Sequence, residues 1–255
     1  MKRNIILICI VIAVVGICLI IFWCKDKPAD LKVANTEAET ESETAPTTEA
    51  ETESEIAPTT EAPTESYAST MGKTAKGYSI VEKDGVTYVG GILIANKTYA
   101  LPASYDPGEI LPETQNAFNE MQQAAAEEGI NLWICSGYRS YQTQVLTYQY
   151  WVDTDSRENA DRYSARPGHS EHQTGLGIDL NSVDDSFADT EEARWIAEHC
   201  SEYGFILRYP KSGEAQTGYM YEPWHLRYLG KELAKEVTRA GVTLEEYLGI
   251  TSQYP

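Results

Sequence analysis

Cysteine is scarce where it could do chemistry. Of five in the chain, Cys9, Cys18 and Cys24 fall in one apolar stretch near the N-terminus, leaving Cys135 and Cys200. Neither has a C-x-x-C partner, so the sequence offers no thiolate metal site. Basic charge is scarce too. Twenty Lys and Arg stand against 39 Asp and Glu, a formal net charge of −19, with no basic stripe. That argues against nucleic acid as a partner. The acidic excess itself reads as solubility. Residues 36–66 contain no Lys, Arg or Asp. Histidine is also rare: His169, His172, His199 and His225 are the only four.

What is present divides the chain into three regions, at 1–28, 29–70 and 71–255. Lys2 and Arg3 precede an unbroken apolar run over residues 5–24. As a helix rising ~1.5 Å per residue it would be about 30 Å long, the thickness of a bilayer core. It ends Ile21-Phe22-Trp23-Cys24, with bulky residues where a cleavage site or a lipoprotein cysteine needs small ones. Trp23 fits an interfacial anchor. The reading is an uncleaved signal anchor, one span, with the short N-terminal tail inside and the large C-terminal region outside the cell.

Residues 36–47, TEAETESETAPT, repeat at 48–59 as TEAETESEIAPT with one change. Glu, Thr, Ser and Pro at this density leave almost nothing to bury, so a disordered, charge-extended linker is expected over 29–70. An acidic binding tail is the alternative. Residues 71–255 are long enough for a full core. Two strand-like runs flank the turn signal Lys83-Asp84-Gly85 within 77–103. Helical spacing marks 113–128, 140–151, 190–203, 231–240 and 244–248, with a shorter stretch at 158–164. Strand-like runs fall at 131–135, 177–181, 204–208 and 219–228. Helices and strands do not alternate regularly, which predicts an α+β fold with a small antiparallel sheet and flanking helices.

Two segments can carry chemistry. In the first, Ser170-Glu171-His172-Gln173-Thr174-Gly175-Leu176-Gly177-Ile178-Asp179-Leu180, two glycines make a helix improbable. His172 then falls in a loop and Asp179 on the strand after it. An aspartate in an apolar strand is costly to bury unless paired or metal-bound. In the second, Tyr221-Glu222-Pro223-Trp224-His225-Leu226, Pro223 forbids a helix interior and a regular central strand. A bulge there could bring Glu222 and His225 to the same side. Spacing alone leaves open whether these are metal ligands or unrelated polar residues at a strand end.

Ser170-x-His172-x-x-Gly175-x-x-x-Asp179 followed by Glu222-Pro-Trp-His225 resembles the VanY-type D-alanyl-D-alanine carboxypeptidases. So do Ser136-Gly137-Tyr138-Arg139-Ser140 and Gly204-Phe205-Ile206-Leu207-Arg208-Tyr209-Pro210. Gly177 departs from the family's usual alanine, and His169 replaces a position that is often aromatic. The resemblance implies a hedgehog/DD-peptidase-like fold and one Zn²⁺ held by His172, Asp179 and His225. Three such donors with a fourth position open form a catalytic zinc shell. It further implies Glu222 as general base, Arg139 on the substrate carbonyl or carboxylate, and Gln144 and Ser170 near the peptide's terminal carboxylate. Trp224 is expected to pack the pocket, and His199 to be structural.

The implied activity is removal of the C-terminal D-Ala from peptidoglycan stem peptides outside the membrane. The alternatives are an L,D-carboxypeptidase on tetrapeptide stems and a wall-peptide-binding ectodomain without catalysis, which would have no use for Glu222. A monomer is expected. Two cysteines in an exported domain also predict a Cys135–Cys200 disulfide.

Overall fold

The computed structural model describes residues 68–255. The predicted membrane run, the repeats and nearly all of the predicted linker lie outside the described residues. No described helix is long and apolar enough to cross a membrane.

The chain opens with an antiparallel meander: β1 (Ala68–Lys73), β2 (Ser79–Lys83), β3 (Val86–Val89) and β4 (Ile92–Leu93). Two-residue loops set its register. Asp84 and Gly85 have φ of 55° and 76°, Gly90 and Gly91 59° and 85°, the consecutive positive values that a tight I′ hairpin turn requires. β1 begins inside the segment assigned to linker through residue 70. All six of its residues are exposed, so it carries no apolar alternation and is held by backbone pairing to β2.

A second four-stranded antiparallel sheet runs β5 (Ile134–Ser136), β6 (Gly177–Leu180), β8 (Glu222–Tyr228), β7 (Phe205–Tyr209). The α+β expectation holds, with two sheets where one was predicted. The helices are α1 (Pro112–Glu127), α2 (Tyr141–Thr154), α3 (Arg157–Tyr163), α4 (Glu191–His199), α5 (Glu214–Thr217), α6 (Lys231–Ala240) and α7 (Leu244–Leu248). Their starts follow the side chains: Pro112 opens α1, the hydroxyls of Ser140, Ser156 and Thr190 accept first-turn N–H groups, and Thr243 and Glu246 form a capping box.

Strand alternation divides the second sheet into two faces. Ile178 and Leu180 on β6, Phe205 on β7 and Trp224 and Leu226 on β8 join Phe118 and Met121 of α1 and Ile196 of α4 in one core. Truncating a fully buried member such as Leu226 to alanine should cost roughly 2–5 kcal/mol. The other face carries Asp179, Arg208, His225 and Arg227, all buried, together with Ile206. Ile206 packs with Val89, Ile94, Ala234, Val237, Leu244 and Leu248 in a second core beneath α6 and α7.

The expected disulfide does not form; both cysteines are free. Cys135 is exposed on β5, with its thiol donating to the Asp179 carbonyl at 3.4 Å. Cys200 is buried in the first core, at the start of a 3₁₀ turn that leads into β7. β5 and β7 are opposite edges of the sheet, three spacings of about 4.8 Å apart, well beyond the ~7 Å that a disulfide can bridge. Burial pushes each thiol up to about 12. The melting temperature should therefore be unchanged by a strong reductant; a fall would restore the bridge.

Candidate active site

The polar face of the second sheet is built around one cross-strand pair. Asp179 on β6 lies directly opposite His225 on β8, so both side chains stand on the same side of the sheet. His172 comes from a 3₁₀ turn, Glu171–Thr174, that ends at left-handed Gly175 and leads into β6. A Cβ at Gly175 would meet the Glu109 carbonyl at 2.7 Å, and one at Gly177 would lie 3.1 Å from Glu171. The glycines thus let the turn press against both α1's leading segment and the strand. Pro223 sits in a central strand at a register shift: Leu207 pairs with Leu226 but Tyr209 with Glu222. That irregularity is the bulge expected from the sequence, and it puts Glu222 on the same side as His225.

One ligand atom from each of His172, Asp179 and His225 can be chosen so that all lie within 4.8 Å of one another. His172 Nδ1 donates to the Gly137 carbonyl at 2.7 Å, which leaves a lone pair on Nε2, 3.1 Å from Asp179 Oδ2. His225 Nδ1 lies 2.9 Å from Asp179 Oδ1, yet that buried oxygen has no hydrogen-bond partner. His172 Nε2 and the Asp179 carboxylate are acceptors aimed at a shared point, and His225 Nδ1 becomes a third once its ring gives up a proton. A cation there would satisfy all three, and the two-nitrogen, one-carboxylate set suits a transition metal.

The electrostatics agree. Burial lowers the His172 pKa and keeps its ring neutral. Burial opposes the charged form of Asp179, but His172 and His225 hold it well below the usual carboxylate range. Burial also opposes charge on His225, yet its contacts with Asp179 and Glu171 hold that ring up at about 10. Without a metal, positive charge reaches the site as a proton.

Glu222 lies with its Oε2 3.7 Å from His225 Nδ1. Burial, reinforced by Asp179 and Glu171 and countered by His225 and Arg139, raises it to about 8. A cavity of about 490 Å³ opens over these groups, walled by Arg139, Ser170, Tyr209, Glu222 and Trp224 among others. Arg139 donates from Nη1 to Gln144 Oε1 at 2.9 Å and from Nη2 to Ser136 Oγ at 3.1 Å. Gln144 is fully buried, is not part of the cavity wall, and spends its amide on Arg139 and the Ala165 carbonyl. It orients the arginine. His169 Nδ1 donates to the Asn96 carbonyl at 2.7 Å and, like His199 beside Glu202, lies outside the cluster. Sequence reasoning missed Tyr209, whose buried ring lies 4.9 Å from that of His225. It also missed Glu171, whose Oε2 lies 3.5 Å from His225 Nε2.

A family model described as VanY, D-alanyl-D-alanine carboxypeptidase, matches residues 109–231. The structure of the LdcB LD-carboxypeptidase is similar with a TM-score of 0.64 at 44% identity, over 69% of this chain and 98% of that one. The chain belongs to the VanY family of D-alanyl-D-alanine carboxypeptidases. Another solved VanY-family structure is the E→A mutant of the vancomycin-resistance D,D-pentapeptidase VanY with Zn(II), similar at TM-score 0.54 and 33% identity over 61% of this chain and 97% of that one. The D-alanyl-D-alanine carboxypeptidase of Enterococcus faecalis (strain ATCC 700802 / V583) is 34% identical over 178 residues, 62% of this chain and 65% of that protein. The chain spans no more than 66% of the lengths of the curated relatives it matches first.

The raised His225 pKa has a sign that can be tested. Metal must displace the ring proton, so affinity rises with pH, by about tenfold per unit where one proton is released. Titration with a divalent metal at several pH values should show weaker binding toward acid. Affinity independent of pH would mean that His225 is not displaced. His225→Ala should lose stoichiometric metal, whereas Cys135→Ala should keep it.

Proposed function

We propose that the chain is a zinc carboxypeptidase that releases the C-terminal D-alanine from peptidoglycan stem peptides, on a fold of the hedgehog/DD-peptidase type. The observation that carries the reading is the convergence of His172 Nε2, Asp179 and His225 Nδ1 beside the buried carboxyl of Glu222. Zinc held by these three residues would supply Lewis acidity and lower the pKa of water toward ~7. Glu222 takes a proton from the attacking water as its oxygen bonds to the scissile carbonyl carbon. It delivers that proton to the amine of the departing alanine as the C–N bond breaks. A carboxyl whose pKa sits near neutrality suits both the acceptance and the return. Arg139 binds the carbonyl oxygen as negative charge develops there, or the terminal carboxylate, and its fork is set by Gln144 and Ser136. Ser170 lines the cavity near the same end of the peptide.

Support for the substrate class comes from relatives: VanYB has been solved in complex with D-alanine-D-alanine. The D,D bond of a pentapeptide is the first reading, and the same sequence motifs serve either bond. A specific observation favours the L,D bond of a tetrapeptide as a second reading, since the LdcB LD-carboxypeptidase is 44% identical and the D,D-pentapeptidase VanY 33%. Both bonds release the same D-alanine. The sequence further supports a single-pass membrane anchor over residues 5–24, an extended linker, and a catalytic region facing the wall.

Mass spectrometry of defined pentapeptide and tetrapeptide stems tests this. Loss of one D-alanine from either is expected, and the preferred stem decides between the two readings. No cleavage of either would leave a binding domain. Glu222→Gln keeps the three metal-facing side chains but cannot accept the proton, so kcat should fall at least ~100-fold with metal content unchanged. Full activity in that variant would place the base elsewhere.

A further inference from the structure

Glu171 is fully buried between the metal-facing residues and two arginines that the mechanism does not use. Its Oε1 accepts from Arg208 Nε at 2.8 Å and from Arg227 Nη1 at 2.9 Å. Arg208 is also gripped by Glu245, with Nη1 to Oε2 at 2.8 Å and Nη2 to Oε1 at 2.6 Å. Two arginines and two glutamates balance, so the carboxylate is fixed in place and charge. Only its second oxygen is unspent. Glu171 Oε2 is buried without a hydrogen-bond partner, and so is His225 Nε2. The two orphans face each other across 3.5 Å.

Each group lacks what the other has. The oxygen can only accept, and the ring nitrogen must carry a proton if Nδ1 is to offer its lone pair beside Asp179. A few tenths of an ångström would complete the bond. We propose that Glu171 is a positioning residue for the proposed metal centre: it accepts the Nε2–H of His225, fixes that tautomer, and so commits Nδ1 to the metal. The arrangement is a carboxylate–histidine–metal relay in which the carboxylate is itself clamped by Arg208 and Arg227. It mirrors His172, whose ring is oriented the same way by the Gly137 carbonyl. The assignment rests on the zinc reading above.

Glu171→Gln separates positioning from plain counter-charge. The amide oxygen can keep both arginine contacts, but its NH₂ then faces the His225 Nε2–H, donor against donor. The ring must turn or change tautomer, and Nδ1 is lost to the metal. The zinc dissociation constant, measured by chelator competition, should rise ~10–100-fold. Because the substitution leaves two arginines short of charge and could hinder folding, the second measurement uses the unaltered protein. The ¹⁵N-histidine spectrum of the zinc-loaded chain should show His225 protonated at Nε2 and metal-bound through Nδ1. Zinc affinity unchanged in a folded Glu171→Gln protein, or His225 bound through Nε2 in the wild type, overturns the proposal while leaving the zinc reading intact. A wild-type protein that takes up no zinc overturns both.

Discussion

Four fully buried charges beneath the cavity floor bind the rest of the molecule to its site. Burying an ion costs several kcal/mol unless partners and hydrogen bonds compensate it. Here Glu171, Arg208, Arg227 and Glu245 do so for one another. Each comes from a different element: the turn that carries His172, strand β7, strand β8 and helix α7. Arg227 also donates to the Leu93 carbonyl at 2.7 Å, and Asn96 to Glu245 at 3.1 Å. The N-terminal meander and the C-terminal helices are thereby tied to the strand that presents His225. Removing one partner would leave an uncompensated buried charge, which typically costs 3–5 kcal/mol, and would loosen every element at once.

On this foundation the second sheet does two jobs with one alternation. Odd and even residues of β6 and β8 part cleanly, Ile178, Leu180, Trp224 and Leu226 to the core, Asp179, His225 and Arg227 to the polar side. The apolar side fixes the strand register. A slip of one residue would send Asp179 and His225 into hydrocarbon, so core packing specifies the geometry of the cluster. The bulge at Pro223 then restores Glu222 to the reactive side. Burial of the whole cluster accounts for its uneven protonation: His172 neutral, Asp179 ionised, Glu222 raised to about 8.

Most of this was legible in the residues because it is local. The Asp84-Gly85 hairpin, the helical stretches and the order of helices and strands all follow from short-range spacing. Asp179 in an apolar strand and Pro223 between Glu222 and His225 announced their oddity without any partner in view. What was not legible is long-range. Glu171 meets its arginines 37 and 56 residues away, and Arg208 and Arg227 look like ordinary strand-flanking charges until the sheet brings them together. That Gln144 links Arg139 to the Ala165 carbonyl is likewise a contact between distant segments. The cysteine pairing failed because an even count says nothing of topology, which puts Cys135 on the edge strand β5 and Cys200 in the turn before β7. β1 escaped notice because an all-exposed strand has no period.

The central claim is that one metal ion is shared by His172, Asp179 and His225, with Glu222 beside it and uncoordinated. Anomalous diffraction at the zinc edge from crystals of the zinc-loaded protein tests it most directly. The account predicts a single peak within about 2.0–2.2 Å of His172 Nε2, an Asp179 carboxylate oxygen and His225 Nδ1, with Glu222 outside bonding distance. A peak bonded to Glu222, a peak elsewhere on the molecule, or no peak would contradict it.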